Sequence, residues 1–172
     1  MMSSYRILQA EQQGVYILKF VGEIRLNLCS TLDAIIESMS ADPAFRTVVI
    51  DLTEAQMLDS TSLGLLAKLA IFTKSRSNLL PTIISTNPDV TRLILSMGFD
   101  RIFIIVKQAA TQMEHLNELP ILDATEKEVR EKVLAAHRVL MELNEQNRTA
   151  FKDLVAALEC DGADQGTPSA SC

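Results

Sequence analysis

The stretch that most restricts the fold is a strand delivered straight into a helix. Strong β-formers, Val48-Val49-Ile50-Asp51-Leu52, pass through a short polar bend to Met57-Leu58-Asp59-Ser60-Thr61-Ser62-Leu63-Gly64, and the helix-favouring run Leu65-Leu66-Ala67-Lys68-Leu69-Ala70 follows directly. Asp59 and Ser60 are the candidate N-caps, since a side-chain oxygen there accepts bonds from the unpaired amides of the first turn. Those same amides make position 60 hospitable to added negative charge.

Around this unit, strand and helix patterns alternate. Residues 5–8 and 15–21 read as strands joined by a hairpin through Glu11-Gln12-Gln13-Gly14, near one edge of a sheet. Ser30-Thr31 ahead of Leu32, Ile35, Ile36 and Met39 predicts a capped amphipathic helix, closed by Ala41-Asp42-Pro43. The helix from about Ser60 to Ser75 is apolar on more than one face and must be largely covered. A strand over residues 80–85, a short helix opened by Asn87-Pro88 and running through Met97, and a last strand over residues 102–106 complete the unit. The alternation predicts an α/β domain with a mixed, mainly parallel sheet and helices packed on it.

Beyond Lys107 the character changes. Residues 1–108 form the α/β domain in this reading, 109–160 a helical extension, and 161–172 a tail too poor in large apolar groups to fold. Residues 111–119 look like a short amphipathic segment. After Pro120, Asp123-Ala124-Thr125-Glu126 starts a long helical pattern in which Val129, Val133, Ala136, Leu140 and Leu143 draw one apolar stripe. The stripe resumes at Phe151, Leu154, Val155 and Leu158, so one kinked helix or two helices fit equally. It suits packing on its own domain, or an arm that meets a partner or a second copy in a homodimer. Truncation after Lys107 is expected to leave a folded domain.

A formal net charge of −6 argues against nucleic-acid or anionic-membrane surfaces, whose binding depends on Lys and Arg. No apolar run reaches the roughly 20 residues that span a bilayer, and the start Met1-Met2-Ser3-Ser4-Tyr5 has no signal-peptide pattern, so a cytoplasmic protein with protein partners is expected. Cys29, Cys160 and Cys172 lie far apart and read as free thiols, and no metal site or cofactor is expected. His115 and His137 read as residues of solvated helix faces. Both lie outside the domain that holds Ser60, which leaves a nucleophilic serine without a base, and no phosphate-cradling glycine loop is present. Asp51 and Asp59 fit structural roles at a strand end and a helix start. No catalytic residue is assigned.

The run Asp51-Leu52, spacer, Leu58-Asp59-Ser60-Thr61-Ser62-Leu63-Gly64, with a Gly22-Glu23 turn after the second strand and Met97-Gly98-Phe99 before the last, resembles the signature of the STAS domain, that of sulphate transporters and anti-sigma factor antagonists. The resemblance covers roughly residues 5–107. It implies a STAS-type α/β fold and, by likeness to the bacterial anti-sigma factor antagonists, a phosphoacceptor at Ser60. It also implies partner-binding roles for Asp59, Thr61, Ser62, Leu63, Gly64, Arg25 and Asn27. Thr61 and Ser62 depart from the usual Ser-Gly, and Arg25 stands where an acidic residue is common. A helical addition, with Leu140-Met141-Glu142-Leu143-Asn144-Glu145, further resembles antagonists of gammaproteobacterial motility and biofilm pathways. There a response regulator supplies kinase and phosphatase functions.

The implied function is a phosphorylation-switched module that sequesters an anti-sigma factor or related serine kinase while Ser60 is unmodified, and that a cognate phosphatase or response regulator resets. The alternative is a structural STAS subunit of a transporter or signalling scaffold with no switch. Nucleotide binding by the domain itself has no glycine loop to support it.

Overall fold

A computed structural model describes residues 5–108 and 115–163. Its strands and helices follow in the order β1 (Tyr5–Gln12), β2 (Val15–Ile24), α1 (Cys29–Ala41), β3 (Thr47–Leu58), α2 (Ser60–Ser77), β4 (Thr82–Ile84), α3 (Pro88–Ser96), β5 (Ile104–Val106), β6 (Asn117–Glu118), α4 (Glu126–Leu143) and α5 (Glu145–Ala163). The sheet order is β5-β4-β3-β2-β1-β6. Pairs from β2 to β5 are parallel, while β1 runs antiparallel to both its neighbours. This is the mainly parallel α/β architecture expected from the alternation.

Local chemistry accounts for the connections. Gln13 and Gly14 both take positive φ, 52° and 82°, which makes the two-residue hairpin turn whose twist matches the flanking strands. β3 runs six residues beyond the predicted Leu52. The expected polar bend is instead a continuing strand, because residues 54–58 keep pairing with β2 across two register shifts, with Gly22 at φ 85° beside one of them. β4 and β5 are shorter than predicted. β6, which the sequence did not signal, pairs residues 117 and 118 with Gln9 and Leu8 along the outer edge of β1.

Ser30 and Thr31 do not cap α1, which follows directly on a 3-10 turn, Leu26–Leu28. The Thr31 hydroxyl donates to the Pro120 carbonyl at 3.0 Å and accepts from the Leu122 amide at 3.0 Å, so it pins the segment leading to α4.

α2 is sandwiched. One side packs on β3 and α1 and the other on α4, which is why almost every residue from Thr61 to Ala70 is buried. The apolar stripe of α4 thus lies on its own domain. Ala136 and Leu140 are buried in the same core cluster as Leu18, Phe20, Ile50 and Leu66, with Val129, Leu143 and Phe151 packed against it. Two helices form rather than one. The chain breaks at Asn144, which leaves the helical region (φ −160°), and α5 folds back along α4 with Arg138 paired to Glu159 at 2.8 Å. α5 continues to Ala163, past the predicted start of the tail at residue 161; residues 164–172 and the first four residues of the segment over 111–119 lie outside the described residues.

Cys29 is a buried free thiol, whereas Cys160 is disulfide-bonded, against the expectation of free thiols. No helix among the described residues is long and apolar enough to cross a membrane.

A three-helix ion cluster fastens α4. Asp33 of α1 accepts from Lys132 of α4 at 2.9 Å and from Lys68 of α2 at 3.3 Å. Burial pushes the Asp33 carboxyl up, but the two ammonium groups outweigh it and hold it below the usual carboxylate range. A lowered folded-state pKa contributes stability that is present above the unfolded value and lost as pH falls through the folded one. Asp33→Asn should therefore cost about 1–2 kcal/mol in denaturant unfolding at neutral pH, and the difference from wild type should shrink as both are acidified through the carboxylate range. A pH-independent difference would count against the ionic origin.

Candidate functional site around Ser60

The end of β3 and the start of α2 are fixed by backbone and cap together. The Asp59 amide donates to the Ile24 carbonyl at 3.0 Å, tying the turn to the end of β2. The Asp59 side chain accepts from the Ser62 amide at 2.8 Å, so Asp59 alone is the N-cap. Ser60 occupies the first helical position with no capping duty, and its side chain is half-buried rather than sealed.

The Ser60 hydroxyl is engaged by the extension. Its Oγ lies 2.8 Å from Nε2 of His137, and Nδ1 of the same ring lies 2.7 Å from the Val133 carbonyl. A carbonyl only accepts, so Nδ1 carries the proton. In the neutral ring Nε2 is then an acceptor, and the serine hydroxyl donates to it. His137 is 2% exposed and meets Phe151 of α5 edge-on, with centroids 5.0 Å apart. This corrects the expectation of a solvated His137 remote from Ser60, for the stripe of α4 seats on α2 and carries the ring along. The spacing was a partial signal: position 137 follows Val133 by four residues and precedes Leu140 by three, on the margin of the stripe, without indicating what the stripe would meet. His115 is exposed, as expected, but lies outside any helix, with φ 66°.

One residue along, the helices touch backbone to backbone. A Cβ added to Gly64 would lie 2.3 Å from the Ala136 carbonyl oxygen, so glycine is required here by close approach of α4. Thr61, Ser62, Leu63 and Gly64, four of the positions to which the resemblance gives partner-binding roles, are all buried, and the Ser62 hydroxyl finds no hydrogen-bond partner among the described residues. Arg25 and Asn27 are exposed beside the α2 entrance, reached through Ile24, and the Arg25 guanidinium pairs with Glu23 at 2.9 Å. Both partners are solvated, so the pair contributes little. Leu26 and Met57, each 38% exposed, add apolar surface at the same end of the sheet. The accessible rim thus comprises Arg25, Leu26, Asn27, Met57, Asp59 and part of Ser60.

A second fastening lies at the α4–α5 elbow. The Asn147 side-chain amide donates to the Met97 carbonyl at 2.8 Å and the Leu140 carbonyl at 2.9 Å, and Arg101 donates to the Leu143 carbonyl at 3.1 Å. Gly98, at φ 85°, turns this corner against Asn144. Among the described residues no three His, Cys, Asp or Glu side chains group to hold a metal.

Comparison with known proteins identifies the family. Among solved structures, an anti-sigma factor antagonist from Mycobacterium paratuberculosis is similar at 25% identity and a TM-score of 0.52, over 61% of this chain and 87% of that one. The Bacillus cell fate determinant SpoIIAA in its phosphorylated form is similar at 14% identity and a TM-score of 0.49, over 74% of this chain and 98% of that one. The anti-sigma factor antagonist SpoIIAA in its unphosphorylated form matches at 15% identity and a TM-score of 0.49, over 74% and 96% of the two chains. No curated protein sequence matches. The profile of the STAS domain matches residues 6–114, well over half of the chain, and the protein belongs to the STAS domain family.

Proposed function

We propose that this chain is an anti-sigma factor antagonist whose docking surface is gated by a phosphate on Ser60. The observation that carries the reading is the division of labour at the α2 entrance: Asp59 caps the helix, leaving Ser60 at the first helical position with no capping duty and only partly buried. A phosphate there gains the favourable field of the helix terminus, so the domain stays folded. Outside the fold the balance reverses. The rim beside Ser60 presents Leu26 and Met57 among polar groups, a mixture suited to a protein partner, and a dianion placed at that interface is desolvated and repelled. A handicap of about 3 kcal/mol lowers affinity by roughly two orders of magnitude.

The partner class is an anti-sigma factor or related serine kinase, with a phosphatase or response regulator completing the cycle in the cytoplasm. The reading involves no catalysis by the chain itself. Ser60→Asp should fold normally and lose partner binding, while Ser60→Ala should bind constitutively, as read by pull-down with each variant as bait followed by titration of the captured partner. Equal affinities would defeat the switch.

The hydrogen bond from Ser60 to His137 and the burial of residues 61–64 also favour a second reading, a structural STAS subunit with no phosphate cycle. Absence of phosphate at Ser60 after incubation with lysate and ATP, with binding indifferent to Ser60→Asp, would select it.

A further inference from the structure

We propose that the α4–α5 hairpin is an intramolecular latch over the face of α2 that begins at Ser60, and that a phosphate on Ser60 and a docked hairpin exclude one another. The inference rests on Ser60 being the modified residue, and it adds what the modification does inside the chain.

The argument is one of space. The serine oxygen and His137 Nε2 stand 2.8 Å apart, a full hydrogen bond with nothing between. With phosphate attached, the nearest nitrogen partner sits beyond the new oxygens, at roughly 4–5 Å from Oγ. His137 must therefore withdraw by about 2 Å. Its ring has little freedom to do so alone: it is buried, its Nδ1 is held by Val133 within its own helix, and Phe151 closes one side. Nor can α4 slide closer to α2 elsewhere to compensate, because at Gly64 and Ala136, one residue from the histidine, the two backbones already meet. Packed interiors do not deform smoothly, so the strain resolves by release of the helix.

The latch is built to yield. Its hold comprises the Ser60–His137 bond, the Gly64–Ala136 crossing and Leu140, the partly exposed Lys132–Asp33 pair to α1 and the partial cover of Val129, Leu143 and Phe151, beside a core that stands on the sheet, α1 and α3. Release uncovers the α2 face that holds Leu63, Gly64 and Ala67 together with the stripe of α4, surfaces absent from the rim of the closed form. Coupling is reciprocal: whatever holds the hairpin down also shields Ser60 from a modifying enzyme.

The test is hydrogen exchange read by mass spectrometry on the full chain, with phosphoserine incorporated at position 60 during synthesis. Amides of residues 126–163 should exchange at least about tenfold faster than in the unmodified protein, while β2 and β3 keep their protection. His137→Ala should open the same segment without phosphate, and Ser60→Ala, which loses one hydrogen bond and adds no bulk, should stay within about threefold of wild type. Unchanged or greater protection of residues 126–163 in the phosphoserine protein overturns the latch, as does loosening spread equally through the sheet. Because the phosphate is installed without a kinase, a hairpin that stays shut defeats the latch alone, whereas partner binding indifferent to Ser60→Asp defeats the switch alone.

Discussion

Gly64→Ala is expected to destabilise the protein by roughly 2–3 kcal/mol, although an alanine inside a helix ordinarily gains about 0.5–1 kcal/mol over glycine. The sign reverses because the new methyl would stand 2.3 Å from the Ala136 carbonyl oxygen, against backbone rather than a side chain that can swing aside. The cost is bounded above by the free energy of docking α4, since the helix can lift off before the clash grows larger. Gly162→Ala is the matched control. It lies in α5 with nothing within 4 Å of an added Cβ, and it should show the ordinary small gain. Denaturant unfolding of the two variants against wild type checks the pair, and a Gly64→Ala protein as stable as the parent would mean that α2 and α4 do not cross at this residue.

Truncation after Lys107 should have the other large effect, a loss of about 3–5 kcal/mol. It removes the fully buried Ala136 and Leu140 and the partial cover of Val129, Leu143 and Phe151, and it leaves one side of the apolar α2 facing water. It also deletes β6, which pairs with Leu8 and Gln9 in the middle of β1, and so leaves that outer edge uninterrupted, a ready template for unwanted pairing with another chain. The sheet with α1, α2 and α3 retains a core of its own, so the shortened chain should still melt cooperatively, at a temperature lower by 15 °C or more, with increased dye binding and a tendency to aggregate. A fragment that melts with the full chain would show the extension to be an independent arm.

The α/β frame was legible because its signals are local and strong. β-rich runs with turn glycines, a proline after Asn87, and apolar helices of the right length each point to one structure, and they agree with one another. The misplacements have physical causes. β3 outruns its apolar segment because backbone pairing with β2 does not need apolar side chains, and β6 exists only because β1 offers an open edge to which a two-residue strand can add. Of the site, Asp59 and Ser60 were legible from the cap pattern, though only the folded structure separates their roles. His137 was not. A histidine beside a stripe reads as solvated until the stripe's partner is known, and the partner, α2, is 77 residues away from it at Ser60. Gly64 was likewise noticed as part of a signature, while its reason, an alanine carbonyl arriving from the extension, is long-range. Small residues at 64 and 136 are the trace such a crossing leaves in a sequence.

The elbow at Asn144 gives α4 the mechanics of an oar. With its end anchored by Asn147 and Arg101 on the Met97-Gly98 corner, the helix pivots there, about 10 Å from His137 and about 27 Å from its far tip at Glu126. On the latch proposed above, a 2 Å push at the histidine would become about 5 Å at the tip and would carry Lys132, lying between, out of reach of Asp33. A perturbation the size of one chemical group is thereby magnified at the opposite end of the molecule's outermost layer, where a fluorophore at an exposed position such as Lys127 would register it.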